Sequence, residues 1–166
     1  MLDTCCGLGY TAIGAARLRA RGVERVVTIE LDDVALEMCA HNPWSRELFG
    51  DAARARGDAE ARAPIEVLRG DASAVVRALA DGAFGCVIHD PPARALCKEG
   101  DLYGARFYGE LRRVLRPGGT LFHYVGNPES KEGGRLFGGV RERLAEAGFA
   151  SIATAKDAFG ITAKAP

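Results

Sequence analysis

Residues 1–10 read MLDTCCGLGY, and this stretch decides the fold. LDT is typical of the end of a buried strand, CCGLG of a turn, and YTAIGAA, from residue 10, of the first turns of a helix. Glycines in such a turn allow positive φ and let the backbone approach a ligand closely. The helix start that follows offers N–H groups to an anion. The stretch predicts a strand-turn-helix binding loop, although Gly7-Leu8-Gly9 alone does not distinguish one Rossmann-like domain from another.

The rest of the chain alternates short apolar runs with longer helical patterns. Strands are predicted at 25–30, 65–70, 84–90, 120–125, 151–155 and 160–165, and helices at 10–22, 32–42, 71–82, 103–119 and 133–148. Residues 44–64 are predicted to be a helical or mobile surface insertion. The pattern indicates one α/β domain over residues 1–166, with a Rossmann-like, doubly wound, mostly parallel sheet. The last two strands leave no room for a helix between them, so we expect an antiparallel pair.

The composition excludes some classes of protein and partner. The chain has 166 residues, and its 22 basic and 22 acidic side chains cancel, so the charge does not indicate RNA, which stays open as a partner. We find no apolar run that would span a membrane and no signal peptide. Five cysteines without framework or ligand spacing predict reduced thiols in a cytoplasmic protein and no metal site: Cys5, Cys6, Cys39, Cys86 and Cys97.

Acidic residues follow the next three predicted strands. Glu30 ends the second strand, Asp71 follows the third and Asp90 the fourth. In an open α/β sheet the carboxyl ends of parallel strands form the ligand-binding rim, and an acidic side chain there commonly accepts hydrogen bonds from ribose. Asp71 is also placed to cap a helix, whereas Asp32 and Asp33 are better placed than Glu30 to do so.

The ordered series D-x-C-C-G-L-G, E-L-D, G-D-A, D-P-P and L-R-P-G-G resembles the class I S-adenosylmethionine-dependent methyltransferases over nearly the whole chain. The resemblance implies that S-adenosylmethionine is the cofactor, with the turn at its methionine end, Glu30 at the ribose and Asp71 at the adenine amine. The implied cofactor residues are Asp3, Gly7, Gly9, Glu30, Leu31, Asp71, Ala72 and Asp90. The stretches HDPP, NPWS and FHYVGNP further resemble predicted methyltransferases common in archaea.

Asp90, Pro91 and Pro92 resemble the motif with which amino-group methyltransferases hold the target nitrogen. The resemblance implies that they form the catalytic site, where the Asp90 side chain and a backbone carbonyl accept hydrogen bonds from that nitrogen. Ala93 stands where the family has an aromatic ring, which argues against stacking on a flat base. Four aromatic residues are candidate replacements, although core packing is the more common role of such rings: Tyr103, Phe107, Tyr108 and Tyr124.

Polar residues of the fourth and fifth strands are further candidates. His89 precedes Asp90 by one position, so on a regular strand it faces away from the site, and we expect a core or supporting role. His123, Tyr124 and Asn127 are candidate contacts of the methyl acceptor; alternation predicts that one of His123 and Tyr124 faces the rim but not which. His41, near a helix end, is expected at the surface or in a cap.

Two alternatives stay open. An aminopropyl transferase like the spermidine synthases would use a decarboxylated form of the cofactor, although the chain lacks a GGGDG turn. A domain that binds cofactor or a partner without catalysis is the other alternative. Since Met1 already lies in the predicted first strand, we expect that a preceding segment or a partner chain completes the binding site, and that the chain as given binds cofactor weakly or has an open pocket.

Overall fold

The structure is a computed structural model that describes residues 1–49, 64–93, 102–127, 129 and 131–166, without the side chains of 131–133. These residues form two compact units, Met1–Ala72 and Ser73–Pro166. No observation here tests whether residues 1–166 form one domain, so that stays a prediction.

The first unit is built on three parallel strands. Strand β2 (Val26–Glu30) lies between β1 (Leu2–Asp3) and β3 (Ile65–Arg69), and Glu30 is in register with Arg69. Helices α1 (Tyr10–Ala16) and α2 (Asp33–His41) follow β1 and β2. The carboxyl ends of the three strands therefore meet at one edge of this unit.

Buried apolar side chains from α1, α2 and β2 form the core of the first unit. They include Ala12, Ile13 and Ala16 of α1, Val26 of β2 and Cys39 of α2. Because β2 is covered in this way, four of its five residues are buried.

The helix boundaries in the first unit follow their capping residues. The Asp32 carboxylate accepts the Val34 N–H at 2.8 Å, which confirms an aspartate cap at the start of α2. The prediction that the first helix continues to Gly22 is wrong. α1 ends at Ala16, a separate 3-10 turn covers Arg19–Arg21, and Gly22 then ends this turn with φ 95°.

The second unit contains four strands in the order β4-β5-β7-β6. β4 (Phe84–His89) and β5 (Leu115–Tyr124) are parallel, whereas β7 (Gly160–Lys164) is antiparallel to both β5 and β6 (Ala150–Ala155). This confirms the antiparallel final pair, which a short 3-10 turn connects. Three helices belong to this half of the chain: α3 (Ala72–Ala78, which begins at the boundary), α4 (Ala105–Val114) and α5 (Lys131–Glu146).

The predicted helix through residues 117–119 is wrong. α4 ends at Val114, and Pro117-Gly118-Gly119 lie inside β5, where the pairing with β4 shifts register. Proline lacks the N–H that a helix interior requires, and Gly118 takes φ 76°, so both residues favour a bulge over a further helical turn.

The segment predicted as a surface insertion, residues 44–64, contains buried residues. Residues 46–49 form a 3-10 turn, and Ser45 and Leu48 are almost completely buried. The prediction of a surface insertion is therefore wrong for Ser45 and Leu48, while residues 50–63 lie outside the described part. Among the described residues, no helix is long and apolar enough to cross a membrane.

Candidate functional site

The glycine turn joins β1 to α1, and two of its positions have backbone angles that favour glycine. Gly7 and Gly9 have φ values of 52° and 77°, and the Gly9 N–H closes the turn on the Cys6 carbonyl at 2.8 Å. A Cβ atom on Gly9 would lie 3.0 Å from the Leu48 side chain. Positive φ and close packing thus both favour glycine at position 9, while Gly7 is exposed.

Glu30 holds this turn with its carboxylate. Oε2 accepts the Gly7 N–H and Oε1 accepts the Asp32 N–H, both at 2.8 Å. A carboxylate offers about four acceptor positions, so these two bonds to described residues leave capacity for hydroxyl donors. The remaining acceptor positions of Glu30 therefore fit the hydroxyls of a ribose at the partly exposed end of β2, as the resemblance implies.

Three other predicted cofactor residues lie at the ends of β2 and β3. Leu31 follows Glu30 and is 63% exposed, so its side chain is accessible to a ligand. The Gly70 N–H donates to the Glu30 carbonyl at 2.8 Å, which keeps the end of β3 against the end of β2. Asp71 comes next and is partly buried, and Ala72 is buried at the start of α3.

Asp3 differs from the other predicted cofactor residues because it is completely buried. Its Oδ2 accepts the Thr28 hydroxyl hydrogen at 2.8 Å, across the paired strands β1 and β2. In this structure Asp3 supports the strand that precedes the turn. Contact between Asp3 and a cofactor stays a prediction.

Of the cysteines near the turn, Cys6 and Cys39 are buried. Cys5, Cys6, Cys39 and Cys86 are free thiols, and within the described ranges no cluster of His, Cys, Asp or Glu could hold a metal. Burial raises the pKa of Cys6 to about 12, which keeps its thiol protonated and unreactive. Cys97 lies outside the described residues.

In the second unit, Asp90-Pro91-Pro92 directly follow β4. Asp90 is exposed, although partial burial raises the pKa of its carboxyl above the usual value. Pro91 is buried, and the carbonyl of Pro92 accepts the Tyr103 hydroxyl hydrogen at 3.1 Å. The Asp90 carboxylate is therefore exposed to solvent, and a hydrogen bond from Tyr103 holds the segment that carries it.

His89 and His123 form a buried polar cluster beneath this segment. His123 Nδ1 lies 3.1 Å from the His89 carbonyl oxygen, His123 Nε2 lies 3.0 Å from the Tyr108 hydroxyl, and His89 Nε2 lies 2.9 Å from the Leu102 carbonyl oxygen. Carbonyl oxygens only accept, so His123 carries its proton on Nδ1 and His89 on Nε2. Burial lowers the pKa of His123 to about 4 and that of His89 well below 6.5, so both rings are neutral at physiological pH.

The remaining candidate residues of β4, β5 and the segment after β5 differ in burial. His89 is in the core, as expected, and His123 is also fully buried, whereas Tyr124 is 40% exposed. Asn127 is exposed, and its Oδ1 accepts the Glu129 N–H at 2.9 Å. Their contact with an acceptor stays a prediction.

Of the four candidate aromatic residues, three are core residues. Tyr103, Phe107 and Tyr108 are at most 4% exposed, so Tyr124 alone of the four presents its ring to solvent. Ala93 and His41 are exposed, the latter in the last turn of α2.

Comparison with known proteins identifies the family. The family described as "Methyltransferase domain" matches residues 2–123, which include the glycine turn, Glu30, Asp71 and Asp90. The chain belongs to this family. Solved structures show that this methyltransferase domain has the class I Rossmann-like fold, as predicted. An S-adenosylmethionine-dependent methyltransferase from Aquifex aeolicus matches 99% of the chain and 81% of its own, with a TM-score of 0.66 and 18% identity.

Two curated relatives are also similar to the methyltransferase domain. An uncharacterized protein of Methanocaldococcus jannaschii is 46% identical over 167 residues, which cover all of this chain and 52% of that protein. Polyamine aminopropyltransferase 2 of Streptomyces coelicolor is 35% identical over 136 residues, or 82% of this chain and 23% of that protein. The chain thus spans about half, or less, of the length of these relatives.

The fold is shared with spermidine synthases as well. A spermidine synthase from Thermotoga maritima aligns with 99% of this chain and 53% of its own chain, with a TM-score of 0.65 and 16% identity. This likeness is one of fold alone, because the fold does not fix the group that is transferred.

Sequence patterns did not reveal which side chains support the glycine turn and the segment Asp90-Pro91-Pro92. The bond from Tyr103 to Pro92 and those from residues 39–45 to the glycine turn join positions that are far apart in the chain. The sequence carried no local signal for the role of Ser45, because its burial is visible only in the structure.

Proposed function

We propose that the chain binds S-adenosylmethionine through its first unit and transfers the methyl group to a nitrogen bound at Asp90-Pro91-Pro92. The observation that carries the proposal is the glycine turn held by the Glu30 carboxylate, in a chain whose family match extends beyond Asp90. The chemical class of the acceptor, whether a small amine, a protein side chain or an RNA base, is left to experiment.

Each half contributes a different chemical task. When bound, S-adenosylmethionine supplies a methyl group activated by its sulfonium. Glu30 accepts hydrogen bonds from the ribose hydroxyls, and Asp71 accepts one from the adenine amine. The Asp90 carboxylate accepts an N–H from the acceptor, which orients the nitrogen lone pair and offsets the positive charge that develops on the nitrogen. A separate general base is needed only for an acceptor that is protonated at working pH.

Aminopropyl transfer is the second candidate, and the Streptomyces coelicolor relative favours it. The two reactions differ in the cofactor, which for aminopropyl transfer lacks the carboxylate. The exposed Asp90 suits a cationic amine in either case. The absent GGGDG turn and the family match favour methyl transfer.

One experiment tests both reactions. The chain is incubated with cell extract and either labelled S-adenosylmethionine or its labelled decarboxylated form, and the products are separated into RNA, protein and small molecules. We expect label from S-adenosylmethionine in one fraction, and mass spectrometry of that product should show an added methyl group. Transfer from the decarboxylated form alone would establish the aminopropyl reaction. Cofactor binding without transfer from either would establish the binding-only alternative.

A further inference from the structure

The segment Asn42-Pro43-Trp44-Ser45 has a structural task that the proposed function does not include. It follows α2 and brings the completely buried Ser45 behind the glycine turn. There the Ser45 hydroxyl donates a 2.7 Å hydrogen bond to the carbonyl of Leu8, the residue between the two turn glycines. A partly buried carbonyl that loses such a donor leaves the conformation that contains it less stable.

Asn42 orients the Ser45 hydroxyl. Asn42 Nδ2 donates to Ser45 Oγ at 3.0 Å and to the Tyr10 hydroxyl at 2.9 Å, while Asn42 Oδ1 accepts the Trp44 N–H at 3.1 Å. Since Ser45 Oγ accepts from Asn42, its own hydrogen is directed to Leu8. Tyr10 is the first residue of α1, so Asn42 links the serine to the helix end of the turn.

Cys39 holds the neighbouring peptide group. Its Sγ donates to the Gly7 carbonyl at 3.3 Å, and burial raises the pKa of Cys39, which keeps the thiol protonated as a donor. In a trans peptide the N–H points opposite to the carbonyl, so the Leu8 N–H is directed away from Cys39. Together with Glu30 on the Gly7 N–H, side chains fix all three peptide groups between Cys6 and Gly9.

We propose that Ser45, oriented by Asn42, is a positioning residue that fixes the Leu8–Gly9 peptide group of the cofactor turn and thereby sets the affinity for the adenosyl cofactor. The inference rests on the proposed function, because the turn has to bind that cofactor. Preorganisation is the physical reason: a turn already fixed in its binding conformation loses less entropy when the ligand binds.

The test compares cofactor affinity with stability in Ser45→Ala and a matched control. Val140→Ala shortens a completely buried side chain of α5, in the other unit, and lowers stability without touching the turn. Titration calorimetry gives the Kd for S-adenosylmethionine and for its decarboxylated form. Circular dichroism follows the urea unfolding of each variant and gives its stability.

We expect Ser45→Ala to raise the Kd about fivefold, because one partly buried hydrogen bond is lost, while Val140→Ala binds like the wild type. Asn42→Asp keeps the acceptor for Trp44 but removes both donations, and should weaken binding to a similar degree. If Ser45→Ala does not fold, the cofactor affinity of Asn42→Asp tests the inference in its place. Wild-type affinity in the folded turn variants, or equal weakening in Val140→Ala, overturns the inference. A wild-type chain that binds neither cofactor form overturns the proposed function and this inference together.

Discussion

The backbone N–H of Gly7 donates a 2.8 Å hydrogen bond to the carboxylate of Glu30, 23 positions further along the chain. This bond joins the turn after β1 to the end of β2. It makes Glu30 both a support of the turn and the predicted ligand of the ribose, so removing its charge should affect both tasks.

Glu30→Ala is expected to weaken S-adenosylmethionine binding about ten- to a hundredfold, because hydrogen bonds to a charged group contribute about 1.5–3 kcal/mol. Titration calorimetry measures the effect. Glu30→Gln, which keeps one oxygen acceptor, should lie between this variant and the wild type. Equal affinity in all three would show that Glu30 does not contact the cofactor.

Asp90→Ala should abolish transfer but keep cofactor binding, because the acceptor nitrogen loses its hydrogen-bond acceptor. Asp90→Asn, whose amide oxygen can still accept, should retain part of the activity. Transfer assays are paired with calorimetry on each variant. Loss of cofactor binding in Asp90→Ala would mean that Asp90 serves the cofactor instead.

The same residue predicts the acid limb of the pH profile. Partial burial raises the pKa of Asp90, and only the ionised carboxylate accepts hydrogen bonds with both oxygens. Transfer should therefore be lost as pH falls through this raised pKa. The profile of kcat/KM measures it, and Asp90→Asn, which does not titrate, should lack this step. An unchanged acid limb in Asp90→Asn would assign it to another group.

Acidification should destabilise the second unit through His123. The folded pKa of about 4 lies below the ordinary 6.5, so the unfolded chain binds the proton more tightly. Stability is then complete above pH 6.5 and falls between pH 6.5 and 4, by about 3 kcal/mol for this residue. His89 adds to the loss, since its pKa is also lowered.

Urea unfolding between pH 4 and 8, followed by circular dichroism, measures this loss. His123→Gln should flatten the dependence, while His41→Gln, a change at an exposed site, should leave it unchanged. An equally steep loss of stability in His123→Gln would refute the assignment.

Tyr103→Phe should lower kcat/KM for transfer about fivefold without changing the cofactor Kd. The lost hydroxyl holds the Pro92 carbonyl, and one hydrogen bond contributes about 1 kcal/mol. Phe149→Leu, a buried change in the same unit, serves as the control for stability. A similar loss of activity in that control would assign the effect to packing alone.

Local patterns predicted much of the fold. The alternation of strands and helices, the cap at Asp32 and the antiparallel final pair depend on neighbouring residues and were confirmed. The helix ends at Ala16 and Val114 were missed because residues with helix propensity follow both. After Val114 these are Leu115 and Arg116, and pairing with β4 makes Leu115 a strand residue. The buried Ser45 was missed for a related reason, since its partner is a carbonyl 37 positions away.

The sequence by itself determined the strand-turn-helix at residues 1–10 and the order of Glu30, Asp71 and Asp90 at strand ends, because backbone preference and periodicity are local. The tertiary structure decided which atoms meet. It placed His123 in the core with a neutral ring, left Tyr124 exposed, and put the Ser45 hydroxyl behind Leu8. Hydrogen bonds and burial depend on distances between segments, and those distances exist only once the strands have paired.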